Sequence, residues 1–300
     1  MPSDSLHLRQ FASDLPGPHL LITGGVHGDE FEPMAAIRRL IAHFDASDAL
    51  RCGRLTLVPC VNEAAFLRGH RCAGDGLDLA RTCPGRPDGS ETERTAHRLS
   101  ELIRQATHYI DLHTGGTEFA VHPLAGYVLH PDPSILDTQR AMARAFNLPV
   151  IWGTSPALEG RSLSVARDAG VPAIYCEYLG SATVSEAGIG AYVDGCLNVM
   201  ALLGLVEPRD TAGRVGRVIE DATPGSGHMQ VQNPSPIDGY FTPAIALGDV
   251  VETGQPLGTV TDLTGADTRT LSAAHPGIVL TLRTFPRVRA GEMVAVVAHL

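Results

Sequence analysis

The chain has 300 residues, 44% of them hydrophobic and 19% charged, and a formal net charge of −10. That is enough to bury a full core, in one large domain or one large and one small. It has no cluster of positive charge for phosphate, which excludes nucleic acid as a natural partner.

Up to about residue 205, short apolar runs alternate with helical patterns. Residues 19–23 (HLLIT) read as a buried strand broken by Gly24 and Gly25. Residues 33–44 carry Met34, Ile37, Leu40, Ile41 and Phe44 at helical spacing. A strand over 54–61 follows, then a helix over 91–104 with Ala96, Leu99, Leu102 and Ile103 on one side. Strands are expected at 109–112, 127–129, 150–152 and 173–176, and helices at 134–146 and 189–203. This alternation predicts a mainly parallel sheet with helices on both faces, spanning residues 1–208.

Beyond residue 208 the pattern changes to short β-like runs between Gly and Pro turns: 214–219, 239–241, 250–251, 257–260, 277–282 and 293–297. Residues 212–300 therefore read as a separate all-β domain.

The 23 basic residues are all arginine. Without lysine the chain can form no Schiff base and has no P-loop lysine. Residues 1–10 are polar with no apolar signal core, and no stretch reaches the ~18 apolar residues of a membrane span. The six cysteines show no C-x-x-C spacing, a usage that fits a reducing cytoplasm.

Four segments carry candidate chemistry. In Gly24-Gly25-Val26-His27-Gly28-Asp29-Glu30, a His and a Glu three residues apart sit on a strand-to-helix loop and can converge on one ion. Taken alone, the pair reads equally as a loop histidine beside a helix-capping acid. In Asp111-Leu112-His113-Thr114-Gly115-Gly116, a histidine ends a buried strand, where open α/β sheets bind ligands. The plain alternative there is a core histidine. Glu177 ends the apolar strand 173–176, where burial would raise its pKa and suit it to general-base work, unless it reaches solvent. The polar, Gly-rich loop 68–85 holds Arg71, Asp78 and Arg81.

The ordered set G-G-x-H-G-x-E, V-N-E-A-A-F, D-G-L-D-L-A-R-T-C-P-G, D-L-H-T-G-G and a strand-end Glu resembles the succinylglutamate desuccinylase/aspartoacylase family over residues 18–205. That family has the zinc carboxypeptidase-like fold. The resemblance implies one zinc ion per chain on His27, Glu30 and His113, with Glu177 as general base and acid. It also implies that Arg71 polarises the scissile carbonyl, that Arg81 binds a substrate carboxylate, and that Asp78 accepts from the other ring nitrogen of His27.

The expected activity is deacylation of a small N-acyl amino acid. A carboxypeptidase-type peptidase, an esterase and a non-catalytic metal-binding scaffold are the alternatives. One position departs from the family: its D-L-N-R reads Asp78-Leu79-Ala80-Arg81, so alanine stands where an asparagine would help hold the carboxylate.

Residues 247–258 and 274–279 resemble the barrel-sandwich hairpins of biotinyl and lipoyl carriers. Those carriers attach their cofactor to lysine, so this segment is no carrier. It reads as a cap on the first domain or an interface for a homo-oligomer.

Overall fold

The computed structural model describes residues 6–299. The chain runs β1 (Arg9–Ala12), β2 (His19–Thr23), α1 (Phe31–Asp45), β3 (Arg54–Val58), α2 (Glu63–Arg68) and α3 (Glu91–Gln105). It continues through β4 (His108–His113), β5 (Phe119–Val128), α4 (Pro133–Phe146), β6 (Val150–Thr154), α5 (Ser162–Asp168), β7 (Ala173–Gly180) and α6 (Glu186–Leu202). The regular elements of the remainder are nearly all strands: β8 (Arg217–Asp221), β9 (Gly239–Pro243), β10 (Val250–Val251), β11 (Pro256–Thr261), β12 (Thr268–Ser272), β13 (Gly277–Arg283), β14 (Arg287–Val288) and β15 (Ala295–Ala298).

The large sheet is ordered β1-β3-β2-β4-β7-β5-β13-β10. Strands β3, β2, β4 and β7 are parallel at its centre. Their alternate side chains feed two cores, as the two-residue period of a strand requires. Leu20, Ile22, Ile110, Leu112, Ile174 and Cys176 face the core under α1, α4 and α6. Leu21, Tyr109 and Ala173 face the opposite core, under α3 and α5. Helices therefore cover both faces.

Local sequence sets the helix starts. Ser90 and Glu93 form a capping box at α3, and the Ser185 side chain caps α6. At α4, Asp132 caps and Pro133 takes the first turn.

Strand β5 joins the two parts of the chain. One of its edges pairs antiparallel with β7. Residues 124–128 pair in parallel with β6, while residues 119–121 pair antiparallel with β13. Strand β8 adds to β6, and β15 and β10 add to β13. The large sheet thus continues into strands from the C-terminal segment. The remaining strands form a second sheet, β12-β11-β9-β14. Phe241, Leu257, Val260, Val279, Leu282 and Val297 form a core between this sheet and β13 with β15.

The structure differs from the sequence expectation in bounds. The strand expected at 127–129 is the last part of a ten-residue strand, and the strand expected over 54–61 ends at Val58. Elements β1, α2, α5, β12 and β14 had no counterpart in the sequence reading. No helix among the described residues is long and apolar enough to cross a membrane.

Candidate metal centre

The site lies at the carboxyl ends of β2, β4 and β7, on the α3/α5 face of the sheet. The loop after β2 folds tightly against α2: a Cβ at Gly28 would come within 2.0 Å of the Ala65 backbone, so only glycine fits there. This close approach sets His27 and Glu30 over the end of β4. Glu30 occupies the N-cap position of α1, yet its side chain makes no cap hydrogen bond. It turns instead to the two histidines. Glu30 Oε1 lies 2.6 Å from His27 Nδ1, and Oε2 lies 3.0 Å from His113 Nδ1. One ligand atom from each of His27, Glu30 and His113 lies within 4.8 Å of the others, a group that could hold a metal ion.

Each histidine has its far nitrogen held by a carboxylate. His27 Nε2 is 3.1 Å from Asp78 Oδ1, and His113 Nε2 is 3.1 Å from Asp111 Oδ2. Asp111 is itself fixed, accepting from the Thr23 hydroxyl at 2.8 Å and from the Ser162 hydroxyl. Two carboxylate-held imidazoles and one carboxylate form a donor set suited to zinc, since the outer carboxylates orient the rings.

Electrostatics separates the two buried glutamates. Burial opposes ionisation of Glu30, but His27 and His113 together hold its carboxyl far below the usual range. Burial pushes the Glu177 carboxyl up to about 8, with His113 pulling against it and Glu30 adding to the rise. Glu177 is opposite His113 in the β4–β7 register, so the two side chains share a face. Its Oε2 is buried and has no hydrogen-bond partner.

The loop 68–85 brings in the remaining residues singled out from sequence. Arg71 donates to Asp78 Oδ2 at 3.0 Å, and its guanidinium lies 4.0 Å from Glu30 Oε1. Burial opposes the Arg71 charge, and Asp78 and Glu30 more than offset it, so its pKa is raised. Burial likewise opposes ionisation of Asp78, and the His27 and Arg71 contacts outweigh it. Arg81 stands at the mouth and donates to Gln230 Oε1 at 2.9 Å. Desolvation and then the nearby Arg161 charge lower its pKa to about 10.

His27, Glu30, Arg71, Ala80, Arg81, His113 and Glu177 all line one cavity, and Asp78 lies behind it as a contact of His27 and Arg71. Three further residues went unnoticed in the sequence. Asp111 lies two residues before His113, and strand alternation puts it on the same face. Arg161 lines the cavity with its Nε buried and unpartnered. Gln230 arrives from the C-terminal segment. Neither Arg161 nor Gln230 sits in a recognisable motif.

An α/β sheet with a His-Glu-His cluster and an unpaired carboxylate at its parallel strand ends defines the chain as a protein with a candidate metal centre. The chain belongs to the succinylglutamate desuccinylase/aspartoacylase family, whose catalytic domain it matches over residues 16–203. It is 30% identical, over 95% of its length and 83% of the relative's, to an N-alpha-acetyl-L-2,4-diaminobutyric acid deacetylase from Halomonas elongata. Among solved structures it resembles the product-bound ectoine utilization protein EutE (DoeB) from Ruegeria pomeroyi. The TM-score is 0.86 and the identity 27%, covering 97% of this chain and 87% of the other. A succinylglutamate desuccinylase/aspartoacylase from Rhodobacter sphaeroides gives a TM-score of 0.82 and 28% identity, covering 94% and 85%.

Proposed function

We propose that the chain is a zinc-dependent deacylase that hydrolyses the amide bond of a small N-acyl amino acid. The observation that carries this reading is the convergence of His27, Glu30 and His113 beside the unpartnered carboxylate oxygen of Glu177. The substrate class is supported by the deacetylase and desuccinylase names borne by its relatives.

His27, Glu30 and His113 would hold the zinc ion, which when bound would supply Lewis acidity toward the acyl carbonyl and the attacking water. Glu177 takes a proton from the attacking water and delivers it to the departing amine nitrogen. Its raised pKa, set first by burial, suits both halves of that task. Arg71 is steadied by Asp78, so its cation faces the oxygen on which negative charge develops. Arg81 and Arg161 hold the substrate carboxylate, which relieves their mutual repulsion. Asp78 and Asp111 keep the two imidazoles in place.

Every proposed ligand, base and charged anchor lies within residues 1–208. Residues 212–300, whose strands β8, β10, β13 and β15 extend the large sheet, close one side of the cavity through Gly227, Met229, Gln230, Thr281 and Met293.

The test is elemental analysis of the purified chain together with hydrolysis of N-acetyl, N-formyl and N-succinyl amino acids. About one zinc per chain and release of free amino acid are expected. A chain that binds no zinc, or that releases no amine from any of these compounds, would overturn the reading.

A further inference from the structure

Strand β8 ends one branch of the large sheet: it pairs with β6, and no strand among the described residues lies beyond it. Its parallel register runs from Val150↔Arg217 to Thr154↔Asp221, and the Arg217 N–H donates to the Pro149 carbonyl. The backbone groups of Arg217, Ile219 and Asp221 therefore face β6. Along a strand these groups alternate between its two edges. Those of Val218 and Glu220 point away from the sheet, and no described residue meets them.

Native proteins usually blunt such an edge with a proline, a bulge or a charge. β8 reads Arg217-Val218-Ile219-Glu220-Asp221, with no proline and an unbroken register, and Val218 is 43% exposed. Its central charge, Glu220, is drawn back toward the sheet face. There the Tyr127 hydroxyl donates to it at 2.7 Å and Arg140 at 2.8 Å. Residues 217–223 and His299 line a groove along the strand.

The charges at the two ends of β8 are opposite and uncommitted. Arg217 makes no ion pair among the described residues. Asp221 uses one oxygen to accept from the Thr223 N–H at 2.9 Å, and its other oxygen has no partner there. Both side chains share a face with Ile219. In an antiparallel pair, opposite residues exchange two backbone hydrogen bonds when their N–H and C=O groups face each other. A second β8 laid antiparallel about a two-fold axis at Ile219 meets that condition. Val218 then faces Glu220 of the partner subunit, and Arg217 faces Asp221 of the partner subunit, each twice by symmetry. A two-fold contact needs a surface complementary to itself. The exposed edges β1 and β12 are not: each carries one charge, already paired, Arg9 with Asp45 and Arg269 with Asp267.

We propose that β8 is the contact strand of a homodimer, in which two copies pair antiparallel about Ile219 and carry the large sheet across the subunit boundary.

The experiment measures the mass of the full chain in solution by light scattering and sedimentation velocity. The wild type should be a dimer at micromolar concentration. Val218→Pro should be a monomer, because the lost N–H faces away from β6 and proline is tolerated there within the subunit. Arg217→Asp and Asp221→Arg each place like charges opposite one another and should raise the dimer dissociation constant at least about tenfold. The double variant exchanges the two charges and should restore the dimer. Circular dichroism of each variant separates loss of pairing from loss of fold. If Val218→Pro does not fold, the charge variants decide. A monomeric wild type overturns the proposal, and so does a dimer unchanged in both single charge variants. Failure of the double variant to recover the dimer overturns the register about Ile219.

Discussion

The floor of the cavity and its C-terminal wall are built differently. The floor comes from strand ends and loops between residues 27 and 177, and its charges are largely committed to one another: Glu30 to two histidines, each histidine to an aspartate, Arg71 to Asp78. The wall comes from Gly227, Met229, Gln230, Thr281 and Met293, with no charged side chain. Removing a floor residue leaves its partner buried and unpaired, which is costly. Removing a wall residue other than Gln230, which accepts from Arg81, changes only shape and contact. Substitutions in the floor should therefore abolish metal binding or turnover, and those in the wall should alter substrate preference.

The sharpest contrast is expected at the cluster itself. His113→Ala and His27→Ala should lose stoichiometric zinc and fall to background turnover. Stoichiometric zinc in both variants at unchanged affinity would remove these residues as ligands. Next comes Glu177→Gln, which keeps shape and removes basicity. General-base catalysis contributes roughly 10²–10⁴-fold, so kcat should drop by that order with zinc retained. A kcat within a few-fold of wild type would assign the base elsewhere.

Asp111→Asn tests how far the floor extends beyond the cluster. Thr23 and Ser162 donate to different oxygens of Asp111, so the variant keeps an acceptor for only one of them, and it weakens the hold on His113. Loss of such an outer carboxylate typically lowers metal affinity by about 10–100-fold. Zinc titration against a competing chelator measures this, and unchanged affinity would reduce Asp111 to a packing role.

The sequence made the floor far more legible than the wall, for physical reasons. His27, Glu30, His113 and Glu177 lie at strand ends or in a glycine loop, where apolar runs break and a polar residue stands out. Asp111 lay in plain view inside a quoted motif, but within a strand it reads as one more buried position. Only the two-residue alternation links it to His113. Arg161 precedes a seven-residue helix too short to show a period, and nothing local joins it to Arg81. The first half of β5 was hidden by His122-Pro123, where its pairing with β7 shifts register. Its pairing with β13 spans some 160 residues and has no local signature. The wall depends on that distant pairing, so its residues could not be assigned to the cavity from pattern alone.

The smallest predicted effect lies where floor and wall meet. Alanine at position 80 removes the amide that the family pattern places beside Arg81, and Gln230 brings an amide to the same guanidinium from the other side. Because arginine only donates, the Gln230 oxygen must face Arg81, which leaves its NH₂ free to meet a substrate carboxylate. Gln230→Ala should release Arg81 and remove that donor while leaving Glu177 and the histidines untouched. A net hydrogen bond is worth roughly 0.5–1.5 kcal/mol, so KM should rise about two- to tenfold with kcat little changed. Adding Ala80→Asn in the same chain returns an amide beside Arg81 and should recover most of the lost KM. Recovery would show that the two positions serve one carboxylate. A double variant no better than Gln230→Ala, or a single variant that lowers kcat instead of raising KM, would show that Gln230 serves the wall alone.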